Sequence, residues 1–300
     1  MAGRFILSFD CEGKWGIADH LRPEHDALLS GGRLTEAYGR IAALLAETEV
    51  PATFAFTELM LLDPAALAAL PGAEIAARLP YTSAAFAEIA AGRFDGWSLP
   101  EVAALVADRH EIATHGVTHA PWGEIDAAQA RFELSLTARA PGQTFIFPRN
   151  QVAHVEVLAE AGFTGYRLGP PPRSRAVSLL QEANLASRSE PVPSAAVPQP
   201  IPAGYFINWR SGPRRLVPPA LTRARARRIL NHAARTGGVA HFWTHPENIA
   251  SAPGTLVNLR AVIEEAVKLR DAGRIEIQTQ RDFVSALQDA TSAEARPCAA

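Results

Sequence analysis

Lysine is nearly absent from this 300-residue chain: of 29 cationic side chains only Lys14 and Lys268 are lysine, and the rest are arginine. Beside so much alanine, that bias reads as a coding preference rather than a phosphate-binding design. With a formal charge of -2, nucleic acid is not an expected partner. Cysteine is scarce as well. Cys11 and Cys298 cannot build a disulfide framework or a CxxC zinc pattern, so the fold has to hold without staples. No window approaches the roughly 20 apolar residues of a membrane span. The apolar run Phe5 to Phe9, which meets Asp10, is too short for the core of an export signal, so a cytoplasmic address is the simplest expectation.

What is present is an ordinary globular composition, 48% hydrophobic and 20% charged, long enough for two average domains or one closed α/β barrel. Strand and helix patterns alternate along it. The spacing predicts strands at Arg4 to Phe9, Ala52 to Phe56, Glu111 to Thr114, Thr144 to Phe147, Gly165 to Leu168, Val239 to Thr244 and Arg274 to Gln278. Helices are expected between them, among others Leu34 to Glu47, Leu99 to Asp108, Asp126 to Arg139, Ala220 to Thr236 and Thr255 to Ala272. The rhythm breaks between Leu168 and Ala220, where eleven of the 23 prolines fall. Because proline lacks the amide donor that helices and sheet interiors need, residues 169–219 read as an irregular excursion. The expectation is one α/β barrel over residues 1–289, followed by a mobile tail at 290–300.

Polar clusters follow the predicted strands: Asp10 with Glu12, His115 with His119, Arg149 with Asn150, and His245 with Glu247 and Asn248. Parallel strands share one C-terminal face, so groups far apart in sequence can converge there. Two histidines and one acid would make a three-ligand site that leaves zinc an open position, although two hydrogen-bonded structural histidines would give the same letters. Asp10 and Glu12 can divide the work of metal ligand and proton acceptor, or can form a solvated acidic turn. Cys11 between them is expected to face away and pack. His110 and Thr114 do not satisfy the zinc-protease helix spacing, and His241 and Trp243 read as core, which leaves His245 as the functional candidate on its strand. Trp15, Trp122 and Trp209 fall in expected loops, where they can stack on sugar rings or simply pack.

The ordered set Ser8-Phe9-Asp10-Cys11-Glu12, His110 to His119, Phe147-Pro148-Arg149-Asn150 and Trp243-Thr244-His245 resembles the polysaccharide deacetylases, the NodB-homology or carbohydrate esterase 4 group, over about residues 4 to 287. Pro51-Ala52-Thr53-Phe54 is similar to that family's second strand. The resemblance implies a single distorted (β/α)7 barrel, a divalent metal, zinc foremost with cobalt, nickel or manganese as substitutes, and removal of N- or O-acetyl groups from a carbohydrate or glycan precursor. Residue by residue, it implies Asp10 as base, His115 and His119 as metal ligands, Arg149 as the arginine that orients the base, and His245 as general acid. Pro148, Asn150, Trp15 and Trp122 become the expected substrate contacts. The family's second aspartate is replaced by Cys11, so Glu12 is expected to supply the metal carboxylate. The fourth motif has no clear counterpart beyond Trp209. An amidase of the same barrel acting on a small nitrogenous compound, and a glycan-binding pseudoenzyme, are the alternatives.

Overall fold

Nine residues, Gly3–Cys11, form the first strand, β1, and all but one are buried. A strand covered on both faces has no polar side to show, which is why Phe5, Ile6 and Leu7 follow one another without alternation. The computed structural model describes residues 2–138, 142–171, 175–182 and 185–294. Within these, eight further strands follow: β2 (Thr53–Phe56), β3 (Glu111–Thr114), β4 (Thr144–Ile146), β5 (Gly165–Arg167), β6 (Gln199–Ile201), β7 (Tyr205–Phe206), β8 (Val239–Thr244) and β9 (Ile275–Gln278).

They form one sheet in the order β6-β5-β4-β3-β2-β1-β8-β7, with β9 also on β1. Each pairing is parallel. β9 pairs with the first half of β1, from Gly3 to Ile6, and β2 with its second half, from Ser8 to Cys11. Among the described residues β6 and β7 end the path without pairing to each other, so the barrel is distorted and open on that side.

Helices cover the sheet through regularly spaced apolar faces. In the helix Gly31–Thr48 the buried residues Leu34, Tyr38, Ile41 and Leu45 recur at three- and four-residue steps, and Glu49 in the left-handed region ends it. Opposite the strand C-termini, Glu111 plugs the barrel floor. Its buried carboxylate accepts from Thr53 Oγ1 (2.8 Å), Thr144 Oγ1 (2.6 Å) and the Arg281 amide (2.9 Å). A charged group satisfied this fully at the N-terminal face serves stability.

All seven expected strands are present, within one or two residues of their expected bounds. The stretch expected to be irregular is not wholly so: it adds β6, β7 and the helix Arg175–Glu182. Pro200 is tolerated in β6 because that strand is an edge of the sheet. The helix expected at Leu99 to Asp108 shrinks to Glu101–Ala104, and the one from Asp126 runs only Ala127–Ser135, its expected end at Arg139 lying outside the described residues. The last helix, Gln280–Glu294, runs on past residue 290, where the tail was expected to start; residues 295–300, with Cys298, lie outside the described residues. No helix among the described residues is long and apolar enough to cross a membrane.

Candidate metal centre and active site

Parallel strands deliver Asp10, Glu12, His115, His119 and His245 to the C-terminal end of the sheet, where β1, β3 and β8 run out. Glu12 Oε1 lies 3.1 Å from His115 Nε2, 3.1 Å from His119 Nε2 and 3.3 Å from His245 Nε2. The far nitrogens of the first two rings fix their tautomers. His115 Nδ1 donates to the Ile146 carbonyl at 2.8 Å. The Tyr81 hydroxyl gives its proton to the Trp15 carbonyl (2.5 Å) and so accepts from His119 Nδ1 at 3.1 Å. Both imidazoles therefore carry hydrogen on Nδ1 and turn an Nε2 lone pair toward the same carboxylate oxygen. Burial pushes His119 below the usual imidazole range, toward that neutral form. His119 Nε2 is buried with no hydrogen-bond partner.

Such an arrangement of acceptors is repulsive by itself and favourable around a cation. The donor set, two imidazole nitrogens and one carboxylate oxygen within 4.8 Å of one another, fits a divalent metal that keeps a position open. Cys11 takes no part. It is fully buried with its thiol 3.6 Å from the Phe9 carbonyl, as expected for a residue on the opposite face of an extended segment.

Beside this triad Asp10 is 1% exposed and held from both sides. Arg167 Nη1 donates to its Oδ1 (2.7 Å) and Nη2 to its Oδ2 (2.6 Å). Burial, the largest single influence, would raise the Asp10 carboxyl, but Arg167, His115 and His245 together outweigh it and keep the group below its ordinary range. His245 Nε2 stands 3.9 Å from Asp10 Oδ2, with the Asn248 amide 3.2 Å from its other nitrogen. Burial alone would lower this imidazole; Glu12, then Asp10 and Glu247, raise it to about 9.

No family model matches the chain, and no curated protein does. Solved structures do match, nearly end to end. A protein assigned as a polysaccharide deacetylase from Mycobacterium smegmatis superposes with a TM-score of 0.60 at 18% identity, covering 96% of this chain and 91% of its own. A second, from Pseudomonas aeruginosa, gives 0.56 at 12% identity over 95% and 90%. The fold is that of the polysaccharide deacetylases. An allantoinase shares it, with a TM-score of 0.50 at 15% identity over 94% and 90% of the two chains.

On this deacetylase fold several expected roles move. Arg149 does not reach Asp10. Its Nη2 is 2.7 Å from both oxygens of Asp19, and its guanidinium lies 5.0 Å from the Tyr81 ring centroid at the site's rim. Arg167, the last residue of β5 and not among the expected site residues, grips the base candidate instead. Trp15 and Trp122 are both fully buried and cannot stack on a sugar. Trp15 packs edge-on against Trp97 at 5.3 Å and donates to its carbonyl. Trp122 packs against Phe145 and Phe147 and donates to Glu133 Oε2 at 2.6 Å. Large flat rings gain most from burial when the N–H finds an acceptor, and both do. Pro148 is also buried, against the turn at Gly116; a Cβ at Gly116 would come within 3.0 Å of its ring and require the left-handed φ of +71°. Asn150 does line the cleft beside His245, where its Oδ1 accepts from Arg167 Nη2 at 2.8 Å.

Two buried carboxylates hold the ligand loops. Glu133 Oε1 accepts from the amides of Val117 (3.0 Å) and Thr118 (2.8 Å) and from the Thr118 hydroxyl (2.8 Å), clasping the turn between His115 and His119. His119 itself has φ +62°, a strained value such a clasp can sustain. Glu247 Oε1 accepts from the amides of Glu12 (3.0 Å) and Gly13 (2.6 Å). Glu133→Gln replaces one acceptor by a donor that faces either these amides or Trp122. It is expected to weaken the binding of a divalent ion at this cluster by about 10–100-fold, the usual cost of losing a group that orients ligands. Adding Trp122→Phe, which removes the opposing donor, should recover part of the loss; competitive titration of zinc against a chelating dye measures both.

Proposed function

We propose that the protein is a divalent-metal-dependent hydrolase that removes an acetyl or related acyl group from the nitrogen of an amino sugar or glycan precursor. The observation that carries this reading is the meeting of two Nε2 lone pairs at one oxygen of Glu12, beside a clamped second carboxylate and a third imidazole. Glu12, His115 and His119 would hold the ion, for which zinc is the best match to two nitrogens and one oxygen. When bound, it would polarise the acyl carbonyl and lower the pKa of a water molecule. Asp10 is the proton acceptor, at Oδ2, the oxygen nearer His245, with Arg167 fixing its orientation. His245 Nε2, at the cleft mouth, gives its proton to the departing amine nitrogen.

Asp10→Asn keeps the shape and removes the proton acceptor, so it should retain the metal and slow hydrolysis by about 10²–10⁴. His245→Ala should lose a similar factor on amides and less on esters, whose leaving groups need less help. Metal content, melting temperature and acetate release on N-acetylated sugars test both variants, and near-normal turnover in a folded, metal-loaded Asp10→Asn protein would defeat the mechanism.

A second reading, hydrolysis of a small cyclic or linear amide, is favoured by one observation: residues of the proline-rich excursion wall the cleft beside His245, which suits a compact substrate. The similarity to an allantoinase is consistent with it. Ureides belong in the same substrate panel. Tight metal and sugar binding without any release would instead identify a binding module.

A further inference from the structure

We propose that the substrate carries an anionic group, phosphate or carboxylate, which lies against Arg214 and Arg225 while its acyl group faces Glu12 and the two metal-candidate histidines. This rests on the deacylase reading and names the substrate class within it.

The cleft beside His245 has a volume of about 740 Å³, and its lining is electrically one-sided. Three arginines, Arg149, Arg214 and Arg225, border it against a single carboxylate, Glu182. Arg149 is matched by Asp19 and Arg214 pairs with Glu182, while Arg225 donates to Ser187 Oγ at 3.4 Å and to the Phe206 carbonyl at 3.5 Å. Arg214 Nε donates to Glu182 Oε1 at 2.6 Å, and its side chain remains one-third exposed, at 33%. That bond orients the guanidinium and leaves its outer edge at the cleft. Arg225, 6% exposed, stands over the Tyr205 ring at 4.8 Å, a placement that keeps a cation in a part-buried wall.

Behind His245, at the other end, stand Asp10 and Glu12, 3.9 Å and 3.3 Å from its Nε2. The arginines attract the anionic end of a two-ended substrate, which leaves its acyl group to reach past His245 toward Glu12. Between the ends, Tyr205, Phe206, Trp209 and Trp243 supply an aromatic wall suited to a ring. The arginine end comes from the excursion: Glu182 closes its helix, Arg214 sits in the turn Gly212–Leu216, and Arg225 lies on the helix Pro219–Thr236 that follows. A neutral sugar would leave this end unused.

The test compares acetate release by the metal-loaded protein from N-acetylglucosamine, from its 1-phosphate and from an N-acetyl amino sugar carrying a carboxylate. At least one anionic substrate should be favoured by about tenfold or more in kcat/KM, through KM, and the one favoured distinguishes phosphate from carboxylate. Arg214→Gln, whose amide can still donate to Glu182, should abolish that preference, bringing the anionic sugar down to the neutral one measured on the same variant; Arg214→Lys should keep most of it. Equal kcat/KM for neutral and anionic sugars, or a preference that survives Arg214→Gln, would overturn the proposal. Calorimetric binding of glucosamine 1-phosphate against glucosamine judges the site independently of chemistry. If no substrate releases acetate, the deacylase reading fails while an Arg214-dependent preference for the phosphate still supports the anion site, and no preference in either assay rejects it.

Discussion

Replacing His115 with alanine is expected to strip the metal from the purified protein and to cut acyl release by about a thousandfold. The size follows from the several kcal/mol that a bound metal contributes to a hydrolytic transition state, at about 1.4 kcal/mol per factor of ten. His119→Ala should do the same, because each ring presents one fixed lone pair to Glu12 and neither can cover for the other. Glu12→Ala should also lose the metal. If it kept full occupancy while His115→Ala lost it, Glu12 would not be a ligand. Elemental analysis beside thermal melting separates loss of the ion from loss of the fold.

The second large effect is expected at Arg167. Both it and Asp10 are 1% exposed, so Arg167→Leu leaves a buried carboxylate without its partner, a change that typically costs about 3–5 kcal/mol. For a chain of this size that lowers the melting temperature by roughly 5–8 °C. Turnover should fall as well, since the released Asp10 loses its orientation. Combining Asp10→Asn with Arg167→Leu should return part of the stability and none of the activity, and a double-mutant cycle on melting and on kcat reads the two separately. Arg167→Lys keeps a charge but loses the two-pronged geometry, so its stability should fall less than its kcat.

Why Arg167 escaped the sequence reading is physically plain. β5 is three residues long, and nothing in Gly165-Tyr166-Arg167 says that its last side chain turns inward to meet Asp10, 157 positions earlier. The metal triad was legible because its members end long apolar strands or lie four apart in one loop, so local pattern and parallel topology suffice to bring them together. Arg149 was misassigned by position: a short motif placed it near the base, whereas the left-handed backbone at Arg149 and Asn150 turns it out to Asp19. The tryptophans failed for a related reason. Loop residues can be as deeply buried as strand residues when a carboxylate or carbonyl waits for the indole N–H, and sequence does not show where Glu133 or the Trp97 carbonyl will lie. Tyr81, Glu133 and Glu247 act through hydrogen bonds to partners 38, 15 or 16, and 234 or 235 residues away, beyond the reach of any spacing rule. The strands β1, β2 and β4 were legible because each carries a compact group of apolar residues, and β3 and β5 because they fall in step with the alternation of strands and helices. β6 and β7 were not, since proline in an edge strand reads as irregular chain.

The central claim is that Glu12, His115 and His119 together hold one divalent ion at the cleft that contains His245. Crystals of the zinc-loaded protein, with an anomalous difference map recorded at the zinc edge, test it most directly. The account predicts one strong peak at about 2.0–2.2 Å from His115 Nε2, His119 Nε2 and a Glu12 carboxylate oxygen. A peak on the two histidines alone with Glu12 turned away, or no peak there in protein that carries zinc elsewhere, would contradict it.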